Sequence, residues 1–253
     1  MTDPNQTSVE DTFVSHLIEL RDRLVRASIG VALMCAALLL WPGPARIYDF
    51  LARPMMASLP NGAKMIATGV ISPFLVPMKV TLLLAFILAL PWVLYQVWAF
   101  IAPGLYAHEK KLVMPLVISS SLLFVAGVAF SYFLVFGRVF KFINEFAPTS
   151  ITVAPDIENY LDFVMTMCLA FGMTFEVPVV VVVLVRMGLV TVDKLKAIRP
   201  YVIVGAFVIA AVVTPPDVVS QFSLAVPMCL LYEIGLLLAP IFARATRAPE
   251  EST

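Results

Sequence analysis

Two carboxylates, Glu19 and Glu109, stand in short charged segments beside long apolar runs. Together they could grip guanidinium groups through paired charge-assisted hydrogen bonds, a match that a lysine ammonium cannot reproduce. Glu109 lies near the end of YQVWAFIAPGLYAHEKK, Tyr95 to Lys111, in which Tyr95, Trp98, Phe100 and Tyr106 form an aromatic belt. Such rings settle at the headgroup level of a membrane because they join an apolar body to a polar edge. Taken alone, both acids are ordinary surface residues and Phe100 an ordinary belt aromatic. The distribution of charge, which puts both acids on one membrane face, gives them weight. Glu176, in FGMTFEVP, is the acid deep within a long apolar run. A charged carboxyl there costs about 2.5 to 3.5 kcal/mol, so it is either a protonated packing acid or a polar group lining a water-filled cavity, and both readings are open. Gln221, Asp217 and Glu233 add polar groups near two shorter runs, and Asp217, following Pro215 and Pro216, suits the N-cap of the next helix.

Other chemistries find no residues to carry them. There is no Walker sequence for nucleotide hydrolysis, and an intramembrane serine protease would want a histidine within the spans, whereas His16 and His108 lie outside them. Cys35, Cys168 and Cys229 sit inside apolar runs without metal-ligand spacing and read as small core hydrophobes, so neither a disulfide, a metal site nor a cofactor is expected. With 17 basic and 17 acidic residues, the net charge of zero favours neither nucleic acid nor a polybasic lipid anchor as a partner.

An apolar fraction of 61% and a charged fraction of 13% identify an all-α integral membrane protein, with lipid as its solvent. No polar block is long enough to fold alone, so residues 1–253 form one membrane domain. The pattern predicts an amphipathic arm over 1–23, transmembrane helices over 24–41, 80–101, 112–136, 160–185, 201–213 and 218–238, and a tail over 239–253. The fifth and sixth are expected to be short, because Tyr201 to Val213 and Val218 to Tyr232 each reach only about 20 Å at about 1.5 Å per residue. Either they form a buried re-entrant pair or they cross a thinned bilayer. The arm carries Ser8-x-x-Asp11, which resembles a capping box, then Phe13, Leu17, Leu20 and Leu24 on one face and His16, Glu19, Arg23 and Arg26 on the other. It reads as an interfacial helix feeding the first span. Pro91, Pro115, Pro178 and Pro227 lie inside apolar runs, where each would bend its helix and favour a concave wall.

Basic residues orient the bundle. With both termini on one side, that side holds most of the 17, including Arg21, Arg23, Arg26, Lys110, Lys111 and Arg199, while the opposite side gathers Glu145, Asp156, Glu158 and Asp162. By the positive-inside rule both termini are cytoplasmic. Glu19 and Glu109 then share the cytoplasmic face.

These features occur in ordered blocks: SHLIELRDRL (Ser15 to Leu24), SPFLVPMK (Ser72 to Lys79), LYQVWAFIAPGLYAHEKK (Leu94 to Lys111), FGMTFEVP (Phe171 to Pro178), RPYVIVGAFV (Arg199 to Val208) and TPPDVVSQ (Thr214 to Gln221). In order and spacing the chain resembles the TatC family, the polytopic core subunit of the twin-arginine protein translocase, from about Val9 to Leu238. The resemblance implies six transmembrane helices in a curved, glove-like shape in the bacterial cytoplasmic (inner) membrane. It implies no enzymatic activity, and transport of folded precursor proteins driven by the protonmotive force. It implies a signal-peptide site formed by Glu19, Phe100 and Glu109, with Arg21 and Pro54 beside it or supporting it. Glu176 would be the polar residue of the concave face, and Thr214 and Gln221 would lie where single-span TatB-like and TatA-like subunits dock. Self-association in a multimeric receptor complex is implied as well. At Gly69 this chain carries glycine where close relatives often have Asp. The rival classes are a small-molecule secondary transporter, which would show inverted repeats and a compact midplane site, and a structural scaffold, which would not need carboxylates and aromatics gathered at one face.

Overall fold

The computed structural model describes residues 4–59, 64–101, 113–146, 148, 154–215 and 217–244. Among them the chain is helical, with one isolated parallel bridge between Ile66 and Asp156. It divides into two compact units, one of residues 1–42 and 82–121 and one of residues 43–81 and 122–253.

In the first unit, helix α1 (Pro4–Leu40) runs unbroken for 37 residues. This corrects the expectation of a separate arm capped at Ser8, because Ser8 and Asp11 lie inside the helix. From Asn5 to Ile29 there is no proline or glycine to interrupt it. The C-terminal part of α3 (Ser72–Ile101) is tied to α1 by the Trp92 indole, whose Nε1 donates to the Arg26 carbonyl at 2.9 Å. Gly30 makes room for that ring, since a Cβ there would collide with it. Trp98 Nε1 donates to Ser120 Oγ at 3.2 Å and so joins α3 to α4 (Val113–Phe130), with both residues buried.

The second unit opens with α2 (Pro44–Ser58), which no apolar run announced. Gly43, at φ 91, makes the turn into it, and Pro44 takes the first helical position, where a missing N–H costs nothing. Ile47, Ala52 and Met55 give α2 one buried side. It lies against α5 (Phe136–Phe146), which continues α4 through a π-helical turn at Ser131–Val135. The expected span over 112–136 extends to Phe146, with Phe136 and Phe140 packing their rings on Phe163, at 5.8 and 5.5 Å, so that one side of the first added turn is buried while the end of the helix is exposed.

Helix α6 (Ile157–Phe175) crosses α4 at close range, with Gly127 under the Phe171 carbonyl and Gly172 under the Phe124 ring. Pro178 ends the regular ladder, and the span resumes as α7 (Val177–Arg186). A short α8 (Val192–Ala197) leads to α9 (Arg199–Val213), whose 15 residues reach about 22 Å, short of a core of about 30 Å. The sixth helix is not short. α10 (Val218–Arg244) has 27 residues, and its apolar stretch Val218–Ile241 is long enough to cross a membrane. The charge at Glu233 ends the apolar run in sequence, but the helix continues past it, and Arg199 Nη2 meets Glu233 Oε2 at 2.7 Å. Gly235 admits α7 closely, and Val181, Leu195, Tyr232, Leu236 and Ala239 form the core between these elements.

Asp156 closes the segment after α2 onto α6. Its Oδ2 accepts from Thr68 N at 3.0 Å and Thr68 Oγ1 at 2.7 Å, while Oδ1 caps the helix by accepting from Glu158 N and Asn159 N at 2.9 and 3.1 Å. The Thr68 hydroxyl first, then these amides, hold the carboxyl down at about 2. A folded-state value below the ordinary carboxylate value of about 4 means the clasp is fully present above about pH 4 and is lost as pH falls through about 2. Hydrogen-exchange protection of the Thr68 amide should therefore fall between those values. Asp156→Asn, which keeps one acceptor oxygen for two tasks, should lower it already at neutral pH. Equal protection in both proteins across the window would contradict this role.

Candidate functional site

The first unit brings together part of the expected signal-peptide site. On α1 the Glu19 carboxylate receives a guanidinium: Arg23 donates through Nε at 2.9 Å and Nη2 at 2.6 Å, both to Oε1. This spacing, with the acid four residues before the base, is the favourable one on a helix. One turn earlier, His16 stacks on Phe100 with ring centroids 4.4 Å apart and planes at 21°, which fixes the end of α3 against α1. Residues three apart on a helix share a face, so a flat aromatic pair lies beside the carboxylate. Arg21 is directed elsewhere. It is well exposed, with Nε and Nη2 on Asp22 Oδ1 at 3.0 and 2.8 Å. Glu109 lies outside the described residues.

Pro54 belongs to the second unit, on α2, where the structure gives it a local task. A proline has no N–H, so the carbonyl four residues earlier, that of Phe50, loses its helical donor. Tyr132 supplies one, its hydroxyl donating to the Phe50 carbonyl at 2.6 Å, and Tyr160 donates to the neighbouring Leu51 carbonyl at 2.7 Å. Phe50 and Tyr132 also stack at 5.4 Å, with Arg53 over the Phe50 ring.

Glu176 sits half-buried at the joint between α6 and α7. Its N–H turns back to the Met173 carbonyl at 3.1 Å, and its own carbonyl accepts from Val180 N at 3.0 Å. The polar side chain thus projects from a break in the helix ladder that Pro178 creates. At the turn between α9 and α10, Asp217 Oδ1 accepts from Ser220 N at 2.7 Å and caps α10. Thr214 is buried, its hydroxyl donating to the Ala210 carbonyl at 2.8 Å, and half-buried Gln221 donates through Nε2 to the Phe207 carbonyl at 3.4 Å. Both side chains therefore hold the turn together from within. Among the described residues no cluster of three or more His, Cys, Asp or Glu could hold a metal ion.

Sequence reasoning missed three participants. His16 and Arg23 appear there only as members of a polar helix face, although their offsets of three before and four after Glu19 signal contact with that turn. Tyr132 was invisible, since nothing in the sequence pairs it with a proline on another helix.

The family model for the Sec-independent protein translocase protein (TatC) matches residues 15–227. A Sec-independent protein translocase protein TatC from Azotobacter chroococcum is 54% identical over 223 residues, covering 88% of this chain and 87% of its own. The Escherichia coli K12 protein of the same name is 48% identical over 246 residues, covering 96% and 95%. A crystal structure of the twin arginine translocase receptor TatC superposes with a TM-score of 0.78 at 37% identity, covering 90% of this chain and all of that one.

The Pro54–Tyr132 pairing is open to a double-mutant cycle. Tyr132→Phe leaves a carbonyl without its donor and should destabilise the protein by about 1 to 3 kcal/mol. In a Pro54→Ala background, where residue 54 can donate to Phe50 itself, the same change should cost well under half as much. Thermal unfolding in detergent measures both, and equal losses in the two backgrounds would show that the hydroxyl does not serve the proline's carbonyl.

Proposed function

The chain belongs to the TatC family of Sec-independent protein translocase proteins, and from that membership we propose that it is the receptor subunit recognising twin-arginine signal peptides of folded precursors. It is a multi-pass membrane protein of a transport family, not of an enzyme family. The observation that supports the receptor reading best is the Glu19 carboxylate, which holds a guanidinium through two donors beside the stacked rings of His16 and Phe100. A signal peptide's arginine brings the same planar fork, and Glu109, on the cytoplasmic face by the charge pattern, would take the second. Arg21 and Pro54 would lie beside this site or support it, Pro54 by shaping α2.

In this reading Glu176 provides a polar group where the α6–α7 span is broken, suited to a hydrated wall and not to lipid. The stretch around Thr214 and Gln221 is where TatB-like and TatA-like single-span subunits would meet the chain, since α9 stops short of a full bilayer core and a partner helix could cover the difference. Several copies would associate in the working receptor, and the protonmotive force would drive the crossing.

Removing a charge-assisted hydrogen bond costs about 1.5 to 3 kcal/mol, roughly ten- to a hundredfold in affinity. Glu19→Gln and Glu109→Gln should each weaken crosslinking of a twin-arginine signal peptide by that order while leaving the chain's abundance in the membrane normal. Undiminished crosslinking by both variants would refute the receptor site.

A further inference from the structure

We propose that Arg23 is a resident competitor on Glu19, occupying the carboxylate until a signal peptide's arginine displaces it and thereby setting the affinity a peptide must reach. The inference rests on the receptor reading above and concerns the regulation of that same site. Three observations carry it. First, the pair is a close charge-assisted contact, in which both Nε and Nη2 of Arg23 donate to one oxygen, at 2.9 and 2.6 Å, the same donors that an incoming arginine would offer. Second, Arg23 is held in place: its side chain is 21% exposed, against 71% for Arg21 two residues earlier. Third, among the described residues Arg23 is the one cation paired with Glu19, and both of its hydrogen bonds fall on Oε1 and neither on Oε2.

These facts make binding an exchange. An arginine entering at Oε2 can take over both donors' roles as Arg23 withdraws, so what is lost within the chain is regained with the peptide. A lysine ammonium is a compact point charge without the planar fork and recovers less of what Arg23 gives up. Because the competitor acts before the peptide arrives, its removal should tighten twin-arginine and twin-lysine peptides by the same factor. A helix ion pair of this spacing and partial burial corresponds to a gain of about two- to fivefold.

The test titrates fluorescent twin-arginine and twin-lysine signal peptides onto membranes containing the full chain with its partner subunits. Arg23→Gln should lower both dissociation constants by that factor, and Arg23→Lys should fall between it and the wild type. Arg26→Gln removes the same charge one turn away, where no ion pair forms among the described residues, and should leave both peptides nearly unchanged. In a Glu19→Gln background, Arg23→Gln should give no further gain. Weaker or equal binding by Arg23→Gln would overturn the proposal and assign Arg23 to positioning Glu19. An equal gain from Arg26→Gln would overturn it in favour of a general field. If Glu19→Gln alone leaves twin-arginine binding intact, the receptor reading fails first, which separates the two.

Discussion

A chain dissolved in lipid must satisfy its own backbone, because hydrocarbon offers no hydrogen bonds to an exposed N–H or C=O. Uninterrupted helices meet this requirement automatically, and α1 and most of α3 do so. Proline breaks it locally, and the second unit is organised around the repairs. The Phe50 carbonyl, released by Pro54, takes the Tyr132 hydroxyl, and Tyr160 serves Leu51 beside it. Those two tyrosines come from the π-helical turn and from α6, so adjacent carbonyls of α2 fasten it to both elements. The same logic governs the α6–α7 joint, where the Glu176 N–H reaches back only three residues, to Met173. A carboxylate is tolerable at that point because the joint already interrupts the apolar surface.

Lipid also removes the usual reason for helices to adhere. Hydrocarbon tails are as apolar as the side chains, so association relies on close van der Waals approach and on hydrogen bonds between helices. Glycines mark where that approach is closest: Gly30 beneath Trp92, Gly127 and Gly172 at the α4–α6 crossing, and Gly235 against α7. The hydrogen bonds fall nearby. Trp92 to the Arg26 carbonyl, Trp98 to Ser120 and Tyr232 to the Leu195 carbonyl each fasten one helix to another within a unit. Each tie uses an aromatic side chain, which loses little rotational freedom for a large contact area.

Long apolar runs were legible in the sequence because hydropathy alone specifies a spanning helix. What hydropathy does not encode was missed. Helix α2 is apolar on one side only, and its signal is periodicity beside Gly43 and Pro44. The sixth apolar run is measured only to Tyr232 and so reads as short, because the partner of Glu233, Arg199, is 34 residues away in sequence. The break between arm and first span was expected from a change in polarity, yet polarity does not interrupt backbone hydrogen bonding, and the helix runs on from Pro4 to Leu40. Among the candidate residues, Glu19 and Phe100 are singled out by type and by resemblance. Their immediate neighbours, Arg23 and His16, are not, because a local ion pair and a ring stack look like any polar helix face until α3 is set against α1.

The described polar side chains of the candidate site are mostly engaged already. Glu19 holds Arg23, Arg21 holds Asp22, Thr214 bonds to Ala210, and Gln221 bonds to Phe207. For buried Thr214 and half-buried Gln221 this is a requirement, since an unsatisfied polar atom in apolar surroundings costs more than a satisfied pair contributes, whereas exposed Arg21 could turn to water instead. In the proposed exchange, recognition would substitute one partner for another of the same chemistry. The free-energy change is then the difference between two similar contacts, which keeps binding reversible. Reversibility is what a receptor that must release each precursor after use requires, and it follows from the same need for internal satisfaction that ties Tyr132 to Phe50.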